Sequence, residues 1–331
     1  MRRLELALGL CLLIGSAPPP PALAQGVAPL PAVKPCSLEL LLSELRAALR
    51  SGSPAFRRYA AAQLKESALS VPAEQLRAAF LAERDPAVIE ALGQTLAARS
   101  SRTTHAAHVK AVLARAQSDG DPAARAASVR GLRGVGSVEM MHELLAPSYS
   151  ELVRDPSPLV QQSVAENLIH ESQKVFFGHD RGVAEQAVAT ASAAQSPAIA
   201  AQILREVSTE QLGSAAAQRL RELMHSPSPE LRAAAALALG GVPASEAAWV
   251  QVALRDQLTA ERELVVKKAL VEALVHLGLG QSAPTLNTLR GGSTDAALTT
   301  EIDAWLGALS LGLQEFSLVK REKERRLAAP R

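Results

Sequence analysis

Asp121-Pro-Ala-Ala-Arg-Ala-Ala-Ser-Val-Arg-Gly-Leu-Arg-Gly-Val-Gly136 has the order of one complete helix, from its start to its stop. Asp at the N-cap accepts a hydrogen bond from a backbone amide that has no partner within the helix, and Pro at the next position gives up no useful donor. Glycine is typical of a helix end. A second copy runs from Ser228 to Gly240 as Ser-Pro-Glu-Leu-Arg-Ala-Ala-Ala-Ala-Leu-Ala-Leu-Gly. A recurring unit of this kind predicts an architecture of stacked repeats.

Eight copies align on two positions, a cap residue and a Leu-type residue eleven places later, and they recur about every 35 residues. Pro directly follows six of the eight caps. The last two copies lack this Pro. The caps are Ser53, Asp85, Asp121, Ser157, Ser196, Ser228, Glu263 and Asp295. The later positions are Leu64, Leu96, Leu132, Leu168, Val207, Leu239, Leu274 and Leu306.

Further helical patterns lie between the copies, so each repeat is predicted to be a pair of helices. No stretch shows the sustained two-residue alternation that is typical of strands. Alanine is the commonest residue, at 63 of 331, and helices lined with alanine can approach closely. The sequence therefore predicts an all-α fold, an α-solenoid of about eight helix pairs over residues 38–310.

The repeat resembles the HEAT repeat, including the short HEAT-like form of phycobilisome-lyase-type proteins. The resemblance rests on the copies that begin at Asp121-Pro122 and Ser228-Pro229. In that family, a basic residue four places after the cap tends to form a polar ladder with the cap residues of neighbouring units. The resemblance implies a structural ladder role for Arg57, Asp121, Arg125, Arg232 and Lys267. Half of the basic positions are replaced, by Ile89, Gln161, Ala200 and Thr299.

The N-terminus has the features of a secretory signal peptide. Arg2 and Arg3 precede a short apolar run, and Ala22-Leu23-Ala24 forms a small-residue cleavage site. We expect cleavage after Ala24, a Pro-rich linker over 25–37, and export to the periplasm or the extracellular space. Cys36 would then be the only cysteine, so it is either a free thiol or an intermolecular link. No later stretch is predicted to span a membrane.

The charge of the chain disfavours one class of partner. The formal net charge is only +2, whereas broad binding to a phosphate backbone needs a basic surface. We therefore expect no nucleic-acid partner. Basic residues concentrate at the C-terminus, where residues 311–331 are predicted to form a capping helix and a basic tail. The alternative is that this tail docks on an anionic surface.

Sequence motifs for catalysis, cofactors and metals are missing. His105 and His108 share a helical face, but no further zinc ligand lies nearby in the sequence. We expect no catalytic, cofactor or metal site. The longest repeat contains the unusual stretch 173–182, which is predicted either to fill a packing gap or to protrude as a partner-binding loop. Its candidate binding residues are Phe176, Phe177, His179, Asp180 and Arg181.

These observations favour an exported, non-catalytic scaffold for protein partners. Helix-pair solenoids bind through the concave wall that their second helices form, and polar residues between the packing positions are the candidate contacts there. The alternatives are a cofactor lyase or chaperone, centred on His179 and Asp180, and an envelope protein that docks through its basic tail. The polar candidates are Arg58, Glu90, Gln94, Arg130, Gln162, Glu166, Lys268 and Glu272.

Overall fold

The computed structural model describes residues 42–43, 46, 48–67, 71–100, 106–136, 140–172, 181–209, 212–312 and 316–328. The chain divides into two compact units, one that ends at Met141 and one that begins at His142. Regular structure in the described residues is helical throughout, with no strand among them. The prediction of an all-α fold is confirmed for this part of the chain.

Five helices of the first unit have described bounds, and the described residues among 42–49 are also helical. The five helices are α1 (Pro54–Ser67), α2 (Ala73–Ala82), α3 (Pro86–Ala98), α4 (Ala106–Ser118) and α5 (Pro122–Gly131), and a 3-10 turn at Leu132–Gly134 follows α5.

A π-helical turn at Met141–Leu145 leads into α6 (Ala146–Leu152). The second unit continues with α7 (Pro158–Ser172), α8 (Arg181–Ala193), α9 (Pro197–Glu206), α10 (Ser214–Leu223), α11 (Pro229–Leu239), α12 (Ala244–Ala260), α13 (Leu264–Gly278), α14 (Ala283–Gly292), α15 (Ala296–Leu309) and α16 (Phe316–Ala328).

Helix packing follows the order of the chain within each unit. The helices that start at the repeat caps are called second helices, and they are α1, α3, α5, α7, α9, α11, α13 and α15. Each second helix from α3 onward packs against the helix just before it, and in each unit successive second helices pack side by side. In the second unit, α6, α8, α10 and α12 also contact one another in sequence. Every contact of this kind joins helices that are neighbours or next neighbours along the chain.

Side chains of the recurring Leu-type position form the centre of this packing. Seven of the eight are buried, from Leu64 to Leu274. The exception is Leu306, which is half-buried, because the preceding residue, Trp305, takes the fully buried place in α15. Burial of a Leu side chain stabilises a fold by about 2 kcal/mol. The repeated position therefore contributes buried apolar surface in seven of the eight repeats.

No helix in the described residues is long and apolar enough to cross a bilayer.

Candidate functional site: the capped turns and the polar face of the second helices

A recurring acceptor precedes each second helix. The residue two places before the cap accepts a hydrogen bond from the backbone amide of the cap residue, at 2.8 to 3.2 Å. Ala194, which precedes Ser196, is the exception. Sequence analysis missed this position, although a Ser, Asp or Glu two places before nearly every cap is a readable signal. The acceptors are Ser51, Glu83, Asp119, Asp155, Ser226, Glu261 and Ser293.

The cap residues close the other side of the same turn. Asp85, Asp121 and Asp295 accept a first-turn amide at 2.9 Å, and Ser53, Ser196 and Ser228 accept one at 3.4 Å. Glu263 makes no side-chain cap bond. In five of the eight turns, two polar side chains therefore accept backbone amides, which fixes where the second helix begins.

The position four residues after the cap ties the turn to the helix. Arg57, Arg125, Gln161 and Arg232 each donate to the backbone carbonyl six residues earlier, which belongs to the acceptor residue of their own turn. The Arg125 and Gln161 bonds are both 2.8 Å. Gln161 thus makes the same bond as the arginines because its amide group is also a donor. At this position Gln161 therefore replaces the arginine contact with the turn without a charge.

Arg232 also bridges two successive helix pairs. Its guanidinium donates to both carboxylate oxygens of Glu261, at 2.8 and 3.0 Å, and the Glu261 side chain is only 4 % exposed. The Arg232 hydrogen bond outweighs desolvation and, with the backbone amides of Arg262 and Glu263, lowers the pKa of Glu261 to about 2. The pKa of Arg232 is raised by the same bond. Arg232 and Glu261 therefore form a bidentate ion pair that connects α11 to the turn before α13.

Arginines earlier in the chain pair with similar turns. Arg46 bonds to Glu83 at 3.1 Å, and Arg50 bonds to the cap residue Asp85. Burial raises the pKa of Glu83, but the backbone bonds from Asp85 and Arg84, together with Arg46, lower it overall. Arginines therefore do link turns to their neighbours, but the carboxylate is often the acceptor residue rather than the cap.

The five residues to which the HEAT resemblance assigned a ladder role differ in their contacts. Arg57 and Arg125 bond within their own turn, Asp121 caps α5, and Arg232 makes the inter-pair bridge. The Lys267 backbone amide donates to the Glu263 carbonyl at 3.0 Å, and its side chain makes no hydrogen bond or ion pair with the residues that the structure describes. Four of the five side chains therefore order the backbone of the turns, and they are Arg57, Asp121, Arg125 and Arg232.

The first unit presents a polar cluster on its second helices. Arg130 of α5 donates to Glu90 of α3 at 2.7 Å, and Gln94 of α3 donates to the other Glu90 oxygen at 3.3 Å. The Arg130 and Glu90 side chains are 26 % and 28 % exposed. Both charges of this ion pair therefore reach solvent, where a polar partner can contact them.

The second unit carries a larger cluster, to which its last helix contributes. Lys323 of α16 bonds to Glu301 of α15 at 2.9 Å and lies 3.6 Å from Glu272 of α13. Lys320 also reaches Glu272, at 3.5 Å, and Lys268 reaches Glu301, at 3.5 Å. Three ammonium groups thus share two carboxylates, an arrangement suited to holding a basic helix.

An aromatic ring completes this cluster. The Lys323 ammonium nitrogen lies 4.7 Å from the centroid of the Trp305 ring, within the range of a cation–π contact. Glu301 is 4 % exposed and Trp305 is fully buried. The sequence placed Lys268 and Glu272 among the polar candidates and Lys323 in the C-terminal capping helix and basic tail, but gave no role to Glu301. The spacing of Val319, Lys320, Lys323 and Arg326 places them on one helical face, and this is the sequence signal for the contact that Lys323 makes.

The remaining polar candidates are less informative. Gln162 of α7 donates to Glu166 at 3.3 Å, within one helix. The side chain of Arg58 lies outside the described residues.

The stretch around the paired phenylalanines falls largely outside the described residues. This applies to Phe176, Phe177, His179 and Asp180, and for Arg181 only the backbone is described, at the first position of α8. No group of three or more His, Cys, Asp or Glu residues that could hold a metal occurs in the part of the chain that the structure describes.

Comparison with known proteins gave no match, either to a protein-family model or to a curated protein.

Proposed function

We propose that this chain is an exported, non-catalytic scaffold that binds protein partners along the polar face of its second helices. The proposal includes a HEAT-like α-solenoid arrangement of the helix pairs. The observation that carries it is the polar cluster of Glu90, Gln94 and Arg130, in which side chains from successive second helices meet and remain half-exposed.

The physical basis is the repetition of similar contacts. Side-by-side second helices bring polar residues from different repeats onto one surface, although these residues lie far apart in the chain. A partner could then bind through several shallow contacts, each of modest energy. Half-exposed ion pairs suit this role because they give specificity for a complementary charge pattern.

Affinity capture from envelope extracts tests the proposal with two matched double variants. Glu90→Gln/Arg130→Gln removes the charges from the second-helix face. Glu74→Gln/Arg77→Gln removes an exposed ion pair from α2, where Arg77 lies 3.7 Å from Glu74. We expect the first variant to lose the partners that the wild type captures and the second to keep them. Equal capture by both variants would contradict the proposal.

Export is tested separately. We expect the mature chain in the envelope or medium fraction to begin at Gln25, which intact-mass measurement of the purified native protein would show. An intact Met1 in the mature protein would contradict cleavage after Ala24.

A further inference from the structure

Helix α16 contacts the second helices of the last two repeats through one row of side chains. Val319, Lys320, Lys323 and Arg326 follow the spacing of a single helical face. Val319 is fully buried, and the two lysines pair with Glu272 and Glu301. Arg326 lies directly against Gly307 of α15, where an added Cβ would collide with its guanidinium.

The surface under this row is shaped for a basic helix. Glu272 and Glu301 supply negative charge, the Trp305 ring accepts an ammonium group, and Gly307 leaves room for a guanidinium. We call these four residues the acidic seat. They come from two successive second helices, so the acidic seat belongs to the same kind of face that carries the Glu90 cluster.

Among the side chains that the structure describes, the contacts that hold α16 are mostly polar. Val319 is its only buried apolar side chain among those that the structure describes, while Leu318 and Leu327 are 38 % and 40 % exposed. In contrast, α15 buries Leu298, Ile302, Trp305 and several further apolar residues.

Lys320 is 47 % exposed, so salt screens its pair with Glu272 and that pair contributes little. The Lys323–Glu301 pair is largely buried, so α16 stays in place only while the lysine charge matches the carboxylate.

We infer that the acidic seat is a binding site for basic amphipathic helices and that α16 is its resident, exchangeable occupant. The partner is a helix with an apolar residue followed by Lys or Arg one, four and seven positions later. This inference rests on the proposed function in one respect, since it takes the second-helix face as the binding surface. It adds the chemistry of the partner and a segment of the chain that competes with it.

A peptide that spans residues 311–331 is the probe. We compare its binding to three full-length proteins: the wild type, Lys320→Glu/Lys323→Glu, and the same variant with Glu272→Gln/Glu301→Gln added. Charge reversal in α16 places new carboxylates beside the acidic seat, which should release the helix. We expect at least tenfold tighter peptide binding to the first variant than to the wild type, and loss of that gain in the second.

The unaltered protein provides an independent readout. An excess of the peptide should accelerate hydrogen exchange at residues 316–328 of the wild-type chain, because it displaces α16 from the acidic seat. A peptide with Lys320→Glu/Lys323→Glu is the matched control and should have no effect. The same exchange rates with both peptides, or equal peptide affinity for all three proteins, would overturn the inference.

The outcome is separable from that of the scaffold proposal. Peptide exchange depends on α13, α15 and α16 alone, whereas the capture experiment changes Glu90 and Arg130 in the first unit. Failure of exchange with successful capture would reject the acidic seat and leave the scaffold proposal standing. If capture fails but peptide exchange succeeds, the scaffold proposal is rejected and the acidic seat stands.

Discussion

Glu261 is the carboxylate on which the largest number of hydrogen bonds in the described turns converge. It accepts from Arg232, from Gln257 and from the backbone amides of Arg262 and Glu263. Burying a charge is costly unless hydrogen bonds compensate it, and here two side chains and two backbone amides donate to the Glu261 carboxylate. Glu261 therefore stabilises the turn only in its ionised form.

The stabilising effect of ionised Glu261 should depend on pH, and the variant Glu261→Gln should reveal this dependence. The pKa of Glu261 is about 2 in the folded chain and 4.5 as the ordinary value. Because the folded pKa is depressed, its stabilising effect is complete above pH 4.5 and is lost as the pH falls towards 2. We expect Glu261→Gln to lower the free energy of unfolding by about 3 kcal/mol at pH 7.

Urea unfolding at pH 7, 4 and 2.5 measures the difference in free energy of unfolding between the wild type and Glu261→Gln. This difference should become smaller as the pH falls. Glu263→Gln is the control, since Glu263 makes no side-chain cap bond and its change should have little effect at any of these pH values. A wild-type to Glu261→Gln difference that stays constant over this range would show that ionisation of Glu261 is not the cause.

Two acidic cap residues, Asp121 and Glu263, differ in whether their side chains bond to the helix. Asp121 accepts the amide of Ala123 at 2.9 Å, whereas Glu263 caps nothing. We expect Asp121→Ala to cost about 1 kcal/mol of unfolding free energy and Glu263→Ala to cost much less. Thermal unfolding followed by circular dichroism tests both. Equal losses would mean that the cap bond of Asp121 contributes nothing measurable.

Helices α3 and α5 illustrate how small residues control packing between elements. A Cβ at Gly93 would lie 3.1 Å from the Gly131 Cα, and a Cβ at Gly131 would lie 3.0 Å from the Gly93 Cα. The two backbones therefore approach more closely than larger side chains would allow. The same approach continues past the end of α5, where a Cβ at Gly134 would overlap the carbonyl oxygen of Gln94.

We expect Gly134→Ala to destabilise the chain by about 1–3 kcal/mol, because the α3 backbone must move to admit the methyl group. Gly136→Ala is the matched control, since a Cβ there meets nothing within 4 Å. Chemical unfolding of the two variants gives the comparison. If Gly134→Ala is as stable as Gly136→Ala, the close approach of α3 and the turn after α5 is incorrect.

Across the whole molecule, most helix–helix contacts join helices that are close together in the sequence. The main contacts join helices one or two places apart in the chain, and α16 also reaches Glu272 of α13, three places away. We therefore expect each helix to draw most of its stability from helices close to it in the sequence. A defect in one repeat should therefore weaken the adjacent helices and spare distant ones.

Leu239→Ala tests this locality. Leu239 is fully buried in α11, so its loss should cost about 2–5 kcal/mol in its own repeat. We expect hydrogen exchange to accelerate in α9, α11 and α13 and to remain unchanged in α3 and α5 of the first unit. Leu92→Ala, which removes a fully buried Leu from α3, is the reciprocal control. Uniform acceleration across the described helices would indicate global rather than local unfolding.

The sequence by itself determined the helical class, the approximate helix starts and the buried Leu-type positions. These features follow from local rules: a capping Ser or Asp, a Pro at the first turn, and apolar residues at helical spacing. They can be read at Asp121 or Ser228 without knowledge of any distant residue. For the same reason, the acceptor two places before each cap was readable, although it was overlooked.

Only the tertiary structure decided which charges meet. Arg232 faces Glu261, and Lys323 lies between Glu301, Glu272 and the Trp305 ring, because stacking brings separate repeats together. A lysine in a basic C-terminal segment has the same sequence signature whether it is solvated or paired. The partner of such a lysine depends on how the packed helices are rotated and offset. That geometry results from the fit of many side chains together, so no local sequence pattern specifies it.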